Sequence, residues 1–285
     1  MEIAWDWQDY ELLDAGGGEK LERWGKYILR RPDPQAAWPK NDAADWNRAA
    51  AIYHRSSTGG GSWSFPGRLP ESWQVGWREL RFRVRPMGFK HTGLFPEQAV
   101  NWAFMMDKVA GEREPEVLNL FAYTGGATAA LAAAGARVVH VDAAKGIVST
   151  AKENLALSGL SDRPVRFLVD DAKKFVAREI RRGRKYRGIV MDPPTYGRGP
   201  SGEVWRIEDE LYGLLASCTE ILEDPLFVII NGYTTGLSPT VLVNLLKVTI
   251  GERFGGRAAA DEIGLPLSGR NLVLPCGVTA RWTHA

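Results

Sequence analysis

The chain has 285 residues, 45% of them hydrophobic and 25% charged, with a formal net charge of +2. That length suits one large α/β domain or one domain with a smaller appendage, and the composition is that of an ordinary globular protein. Two cysteines make no disulfide framework, the longest apolar blocks are too short to span a bilayer, and the opening MEIAWDWQDYE has no signal-peptide core. A cytoplasmic protein without a membrane segment is expected.

Residues 1–95 read as a β-rich, substrate-binding region. YELLDA and LERWGKYILR are arms of a hairpin turning at Gly16–Gly18; AAIYHR and SWSF flank a second turn at 57–62, and RELRFRVRP alternates as a strand does. Eight of the eleven tryptophans fall before residue 80, so this region is built differently from the rest.

Residues 96–285 read as the second domain. Apolar runs recur at 116–121, 137–141, 165–169, 188–191 and 226–230, with helical patterns between them. Strand–helix alternation of this kind predicts a parallel sheet with crossover helices. The clearest helical face is Val204, Ile207, Leu211, Leu214, Leu215, Cys218, Ile221 and Leu222. Ser238-Pro239 is an N-cap and first-turn pair for TVLVNLLKV. After it the alternation stops, and a Ser268-Gly269 turn marks a closing antiparallel hairpin. Five alternating strands and a hairpin make a seven-stranded, doubly wound sheet.

In such sheets ligands sit beyond the carboxyl ends of the strands, so the residue that ends each strand is informative. The first strand runs into Phe121-Ala122-Tyr123-Thr124-Gly125-Gly126 and an alanine-rich helix. Paired glycines there either let a ligand approach the backbone or make a tight turn with no ligand. The second strand ends on Asp142, placed either to accept from a ribose diol or to favour a helix start. At the third, Asp170-Asp171 offers an acid for an adenine amino group, unless one of the pair caps the next helix. This turn has only the adjacent Gly125-Gly126 rather than G-x-G-x-x-G, and no G-x-x-x-x-G-K-[ST] appears anywhere, so phosphate cradling is unsupported. A cofactor with ribose and adenine but no pyrophosphate fits, and S-adenosylmethionine (SAM) is that cofactor.

VLNLFAYTGGATAAL, VDAAKGIVSTAKENLALSG, VDDAKKF and VMDPPTYGRG together resemble the class I SAM-dependent methyltransferases. Within them they are similar to the bacterial family of large-subunit (23S) ribosomal RNA base methyltransferases, including guanine-N7 and cytosine-C5 enzymes. The resemblance covers about residues 76–235, since WRELRFRVRPMGFKHTGLFPEQAVNW is similar to that family's hairpin and lead-in helix. Residues 1–75 do not resemble the RNA-binding module that some members carry. The resemblance implies a Rossmann-like methyltransferase sheet. It implies that the backbone of 121–126 and Thr124 hold the methionine end of the cofactor. Asp142 with Ala143 would hold the ribose, Asp171 with Ala172 the adenine, and Asp192 would border the same site. Gln98 would line the pocket or cap a helix.

Asp192-Pro193-Pro194 resembles the D/N-P-P-aromatic motif of enzymes that methylate nitrogen in planar groups. Prolines have no N–H, so the turn is expected to present only acceptors: its carbonyls and the Asp192 carboxylate. Thr195 stands where that motif has its aromatic, and Tyr196 follows. Tyr196 either stacks on a base, at about 1–3 kcal/mol, or packs under the GRGPSG loop of 197–202. That loop either closes over substrate or is a plain connection. Cytosine-C5 chemistry needs a thiolate after the fifth strand, where this chain has Ile230-Asn231-Gly232-Tyr233-Thr234; nitrogen is therefore the favoured target, with oxygen the alternative. Asn231 and Tyr233 either touch substrate or finish a turn. His54, His91, His140 and His284 lack metal-site spacing, so no metal is expected and His140 reads as a core histidine.

Two basic runs, 172–188 and 78–90, are candidates for a phosphate backbone; the second is favoured, because the first follows a helix that leads away from the cofactor rim. The expected function is methyl transfer to a base nitrogen of RNA, with ribosomal RNA suspected. The alternatives are a protein amide or small-molecule methyltransferase and a non-catalytic protein that binds SAM and RNA.

Overall fold

The computed structural model describes all residues except 57–59, 199–201, 203, 235 and 285. It divides into two units: Met1–Val100 with Ile263–Cys276, and Asn101–Glu262 with Gly277–Ala285. The first unit is therefore discontinuous in sequence, which the reading of residues 1–95 as one region did not foresee.

In the first unit, β1 (Glu2–Ile3) pairs in parallel with Ile263 and Gly264. β2 (Tyr10–Gly16), β3 (Glu19–Trp24), β4 (Tyr27–Pro32), β5 (Ala51–Arg55) and β6 (Gly61–Ser64) form a five-stranded sheet in that order. β2 and β3 turn on Gly17 and Gly18, both at positive φ. LERWGKYILR is two strands rather than one arm. Gly25, at φ 62°, turns the chain so that Trp24 pairs with Tyr27, and a two-residue loop of that kind needs a left-handed position. β7 (Trp73–Trp77) and β8 (Leu80–Val84) form a separate hairpin about Arg78-Glu79. The basic run 78–90 thus supplies one strand of a hairpin and the turn that follows it.

The tryptophans explain themselves here. Trp24 and Trp77 are fully buried, and the indole N–H groups of Trp38, Trp63, Trp73 and Trp77 bond to Ala15, Met87, Trp24 and Asp6. A large ring with one polar handle fills a small core and ties a loop to it. The same sheet holds a buried ion cluster. Glu22 accepts two bonds from Arg31, at 2.6 and 2.7 Å, and one from Tyr10, at 2.8 Å, with Lys20 at 3.7 Å. Burial raises the Glu22 pKa, but Arg31, Lys20 and the two hydrogen-bond donors outweigh it and hold the carboxyl down at about 2.

The second unit runs α1 (Ala99–Val109), β9 (Glu116–Leu120), α2 (Gly126–Ala133), β10 (Arg137–Asp142), α3 (Lys145–Leu157), β11 (Val165–Val169), α4 (Ala172–Arg181) and β12 (Tyr186–Met191). It continues through β13 (Tyr196–Arg198), β14 (Val204–Arg206), α5 (Ile207–Glu220), β15 (Leu222–Gly232), α6 (Pro239–Leu246), β16 (Arg257–Pro266) as far as Glu262, and β17 (Val273–Thr283) from Gly277 onward. The strand order is β1-β16-β17-β15-β12-β9-β10-β11: the expected seven strands of a doubly wound sheet with its closing hairpin, and β1 as an eighth on the edge. β11, β10, β9, β12 and β15 are parallel, and β17 is antiparallel to β15. Parallel strands buried on both faces read as unbroken apolar runs, which is why these were visible in the sequence.

One sheet face, including Leu118, Leu120, Val141, Ile189, Met191 and Ile230, packs in a core with Phe175, Leu211, Leu215 and Leu242 of α4, α5 and α6. The expected helical face of 204–222 is shorter than read: Val204 lies in β14 and Leu222 opens β15. Ser238 caps α6, accepting from Val241 N–H. Within the core, Asn119 donates to Thr128 Oγ1, which lies 2.9 Å from His140 Nδ1. Burial lowers the His140 pKa to about 3, so it is a neutral core histidine. Among the described residues, no helix is long and apolar enough to cross a membrane.

Candidate cofactor and methyl-transfer site

The register of the parallel strands sets the site. Leu120 pairs with Val141 and with Met191, Asp142 with Val169, and Met191 with Ile230. Phe121, Asp142, Asp170, Asp192 and Asn231 therefore leave one sheet edge side by side, at the carboxyl ends where ligands bind in such sheets.

The turn from β9 to α2 is tightly wound: Phe121, Tyr123 and Gly125 have φ of 52°, 49° and 84°. For the two non-glycine residues this costs energy that the surroundings must supply. Three bonds do so. Ala122 N–H donates to Val141 O at 3.1 Å, Tyr123 N–H to Asp142 Oδ2 at 2.9 Å, and Gly125 N–H to Ala122 O at 3.1 Å. Asn154 also donates its amide to Thr124 O at 2.8 Å. With the N–H groups of 122, 123 and 125 engaged, this turn is no pyrophosphate cradle. It fits a cofactor joined to adenosine through sulfur.

The two glycines answer to protein packing. A Cβ on Gly125 would stand 3.0 Å from Ala151 Cβ, and one on Gly126 would stand 2.4 Å from Trp102 Cζ2. Trp102, in α1, thus fills the space that Gly126 leaves. Gly126→Ala is expected to cost about 1–3 kcal/mol by overpacking, read as a fall of several degrees in a thermal melt.

Asp142 is held in place by its neighbours: Oδ2 accepts from Tyr123 N–H and Oδ1 from Ala144 N–H, each at 2.9 Å. Burial raises its pKa, against those two N–H donors, which lower it. Each carboxylate oxygen keeps a lone pair for a further donor. Ala143 follows directly. Asp171 caps α4, accepting from Lys174 N–H at 2.9 Å, and Asp170 pairs with Arg178. Ala172 is the buried first residue of α4, and Gln98 ends a buried turn, Pro96–Gln98, that leads into α1.

Beyond β12, Asp192 N–H reaches Leu120 O at 3.4 Å, which ties the motif to the end of β9. Pro193 is buried and Pro194 exposed. The expectation that every carbonyl here is free to accept is corrected: Trp205 Nε1 donates to Pro194 O at 2.6 Å. The Trp205 ring also lies against Phe121, with centroids 4.9 Å apart. Thr195 Oγ1 is 2.7 Å from Thr234 Oγ1, and Thr195 O accepts from Ile207 N–H. The motif is thus braced by Trp205 on one side and Thr234 on the other. Tyr196, 51% exposed, pairs through its backbone with Arg206. Residues 199–201 of the GRGPSG loop lie outside the described residues.

Asn231 is buried and accepts from Asn101 at 2.8 Å; Asn101 Oδ1 in turn accepts from Thr279 and Arg281. Its carboxamide belongs to an internal network. Cys218 faces the core from α5, and burial pushes its thiol up to about 12. In the basic run 172–188, Lys173, Arg178, Arg182, Arg184 and Arg187 pair with Glu210, Asp170, Glu179, Glu116 and Glu112. Most of that charge is spent on the chain itself.

Comparisons with known proteins agree with this geometry. The family model for S-adenosylmethionine-dependent methyltransferases matches residues 20–224, well beyond the 76–235 resemblance at its amino-terminal end. The crystal structure of the SAM-dependent methyltransferase from Agrobacterium tumefaciens is 38% identical, with a TM-score of 0.94, covering 100% of this chain and 93% of that one. A methyltransferase structure complexed with S-adenosylhomocysteine (SAH) shares the fold, with a TM-score of 0.72 at 18% identity, covering 98% of this chain and 76% of that one. The ribosomal RNA large subunit methyltransferase K/L of Shewanella frigidimarina is 33% identical over 144 residues, 50% of this chain. This chain spans 20% of the length of that relative. A fold that ends five parallel strands at one edge, a turn without a phosphate cradle and a family match over most of the chain have one reading: the protein belongs to the SAM-dependent methyltransferase family, with SAM as its methyl donor.

Proposed function

We propose that this enzyme methylates a nitrogen of an RNA base, and that ribosomal RNA supplies that base. The observation that carries the reading is the placement of Asp192-Pro193-Pro194 at the end of β12, tied to Leu120 O beside the cofactor turn. The name of the Shewanella relatives supports the RNA class. The Cys218 thiol, buried with its pKa near 12, supports nitrogen over a thiolate-dependent carbon target.

The bound cofactor supplies an activated methyl group on a sulfonium centre. The protein positions the acceptor. Asp192 accepts a hydrogen bond from the N–H of the target nitrogen and turns its lone pair toward the methyl carbon. As the N–C bond forms and the C–S bond breaks, the nitrogen sheds a proton to Asp192 or to water. Pro193 and Pro194 give the loop a rigid backbone that offers no competing donor, and Tyr196 stacks on the base plane. Positioning of this kind supplies much of the rate. Asp142 holds the ribose hydroxyls, the backbone of 121–126 with Thr124 the methionine end, and Asp171 with Ala172 the adenine.

Tritium transfer from methyl-labelled SAM to unmodified ribosomal RNA, followed by nucleoside mapping, tests the proposal. Label on a base nitrogen is expected. Label only in protein or metabolite fractions overturns the RNA substrate, and label on a base carbon or ribose overturns the nitrogen target. The Asp142 role has its own signature. Its raised pKa means that acidification removes an acceptor earlier than for an exposed aspartate, so SAM affinity falls as pH drops toward that value and holds above it. Asp142→Asn is expected to weaken SAM binding about 10- to 100-fold at neutral pH and to flatten that pH dependence, both read by calorimetry.

A further inference from the structure

One surface of the first unit has the composition of a nucleic-acid platform. Trp63 of β6 donates its indole N–H to Met87 O at 2.8 Å and to Phe89 O at 3.2 Å, so the β5–β6 hairpin and the turn after β8 are one surface. That turn is closed by Arg85 N–H to Thr92 O and Met87 N–H to His91 O, which leaves Phe89 at its tip, 67% exposed. Phe65, just past β6, is 57% exposed. Neither ring contributes to the core, and a loop that displays a phenyl ring to water on a bonded scaffold needs a reason.

The two stretches of sequence that carry these rings are one-sided in charge. Residues 46–70 and 80–96 contain no aspartate or glutamate, yet they carry Arg48, Arg55, Arg68, Arg81, Arg83, Arg85 and Lys90. Among the described residues, Arg55, Arg68 and Lys90 pair with no acid, and the one acidic partner of Arg85 is the exposed Glu71 at 4.0 Å. The Lys90 ammonium has its pKa lowered by burial and by Lys20, Arg31 and Arg55, against a partial offset from Asp33. Cations crowded beyond their counter-charge favour a bound polyanion, and exposed rings beside them offer a face to bases.

We propose that Phe89 and Phe65 stack bases of single-stranded RNA while Arg55, Arg68 and Lys90 contact its phosphates. This rests on the RNA reading above. The test is fluorescence anisotropy of the full chain with a short fluorescein-labelled oligouridylate, alone and paired with oligoadenylate, across a salt series. Phe89→Ala is expected to weaken single-strand binding about 5- to 100-fold while leaving duplex binding nearly unchanged. Arg55→Gln with Arg68→Gln is expected to lower the salt slope by about one to two. Unchanged melting temperature and SAM affinity in each variant show that the fold is intact.

Wild-type affinity retained in Phe89→Ala, or equal losses on single strand and duplex, overturns the platform. Tritium transfer separates the two proposals. If the wild-type chain labels RNA and Phe89→Ala does so with unchanged KM, the platform fails and the RNA reading stands. If the chain binds oligouridylate through Phe89 but labels no RNA, the platform stands and the substrate reading fails.

Discussion

Asp192→Ala is expected to lower methyl transfer by about two to four orders of magnitude while SAM affinity stays within a few-fold of wild type. The argument starts from the chemistry. A sulfonium methyl is already electrophilic, so the barrier lies in bringing one nitrogen lone pair into line, and an oriented acceptor sets that line. Asp192 is well suited, because its N–H is fixed to Leu120 O and two rigid prolines follow it. Trp205→Phe is the graded companion. It removes the 2.6 Å bond to Pro194 O and keeps most of the ring against Phe121, so the loop loosens without collapsing. A fall of about tenfold in kcat, with SAM affinity unchanged, is expected from a small misplacement. Single-turnover tritium transfer and calorimetry read both effects, and wild-type turnover in Asp192→Ala would reject its place in the reaction.

The second large effect is on stability. Glu22→Gln leaves Arg31 buried without its charge partner, and breaking such a pair costs about 3–5 kcal/mol. The pH dependence follows from the depressed carboxyl pKa of about 2, against an ordinary value of 4.5. A carboxylate with a lowered folded-state pKa contributes stability that is fully present above the ordinary value and is lost as pH falls toward the folded one. Wild-type protein should therefore lose stability steeply between about pH 4.5 and 2. Glu22→Gln should begin lower and show a flatter acid limb, measured by urea denaturation at several pH values. Equal stability of the two proteins at neutral pH would show that the cluster is not held as described.

The two halves of the chain differ in how far their sequence discloses them. In the second unit, strands such as GIVM and LFVII are buried on both sides, and each ends abruptly on the residue that faces the rim; Asp142 and Asp192 stand out for that reason. Glu22 and Arg31 do not stand out, because an acid and a base alternating with apolar residues read as a solvated face. Only the sheet brings them together, and only burial shows their importance. Trp205 was hidden inside an apparent helical face, since a strand of three residues has too short a pattern to be distinguished. The basic run 172–188 shows the opposite limit. Its neutralising acids, Glu210 and Glu112 among them, lie far away in sequence, and a charge count along a window does not see them.

The discontinuity of the first unit bears on the order of events during synthesis. Its last contributions come from 263–276, where Leu267 bridges to Leu12, Ser268 bonds to Leu12 O and Glu11, and Arg270 reaches Asp14. The five-stranded sheet of β2–β6 can form early, but β1 and β2 wait for nearly the whole chain before 263–276 reaches them. Domains made of one continuous segment can fold as they leave the ribosome. Here the earliest residues are among the last to be secured, and a chain cut short before residue 263 leaves both units unfinished.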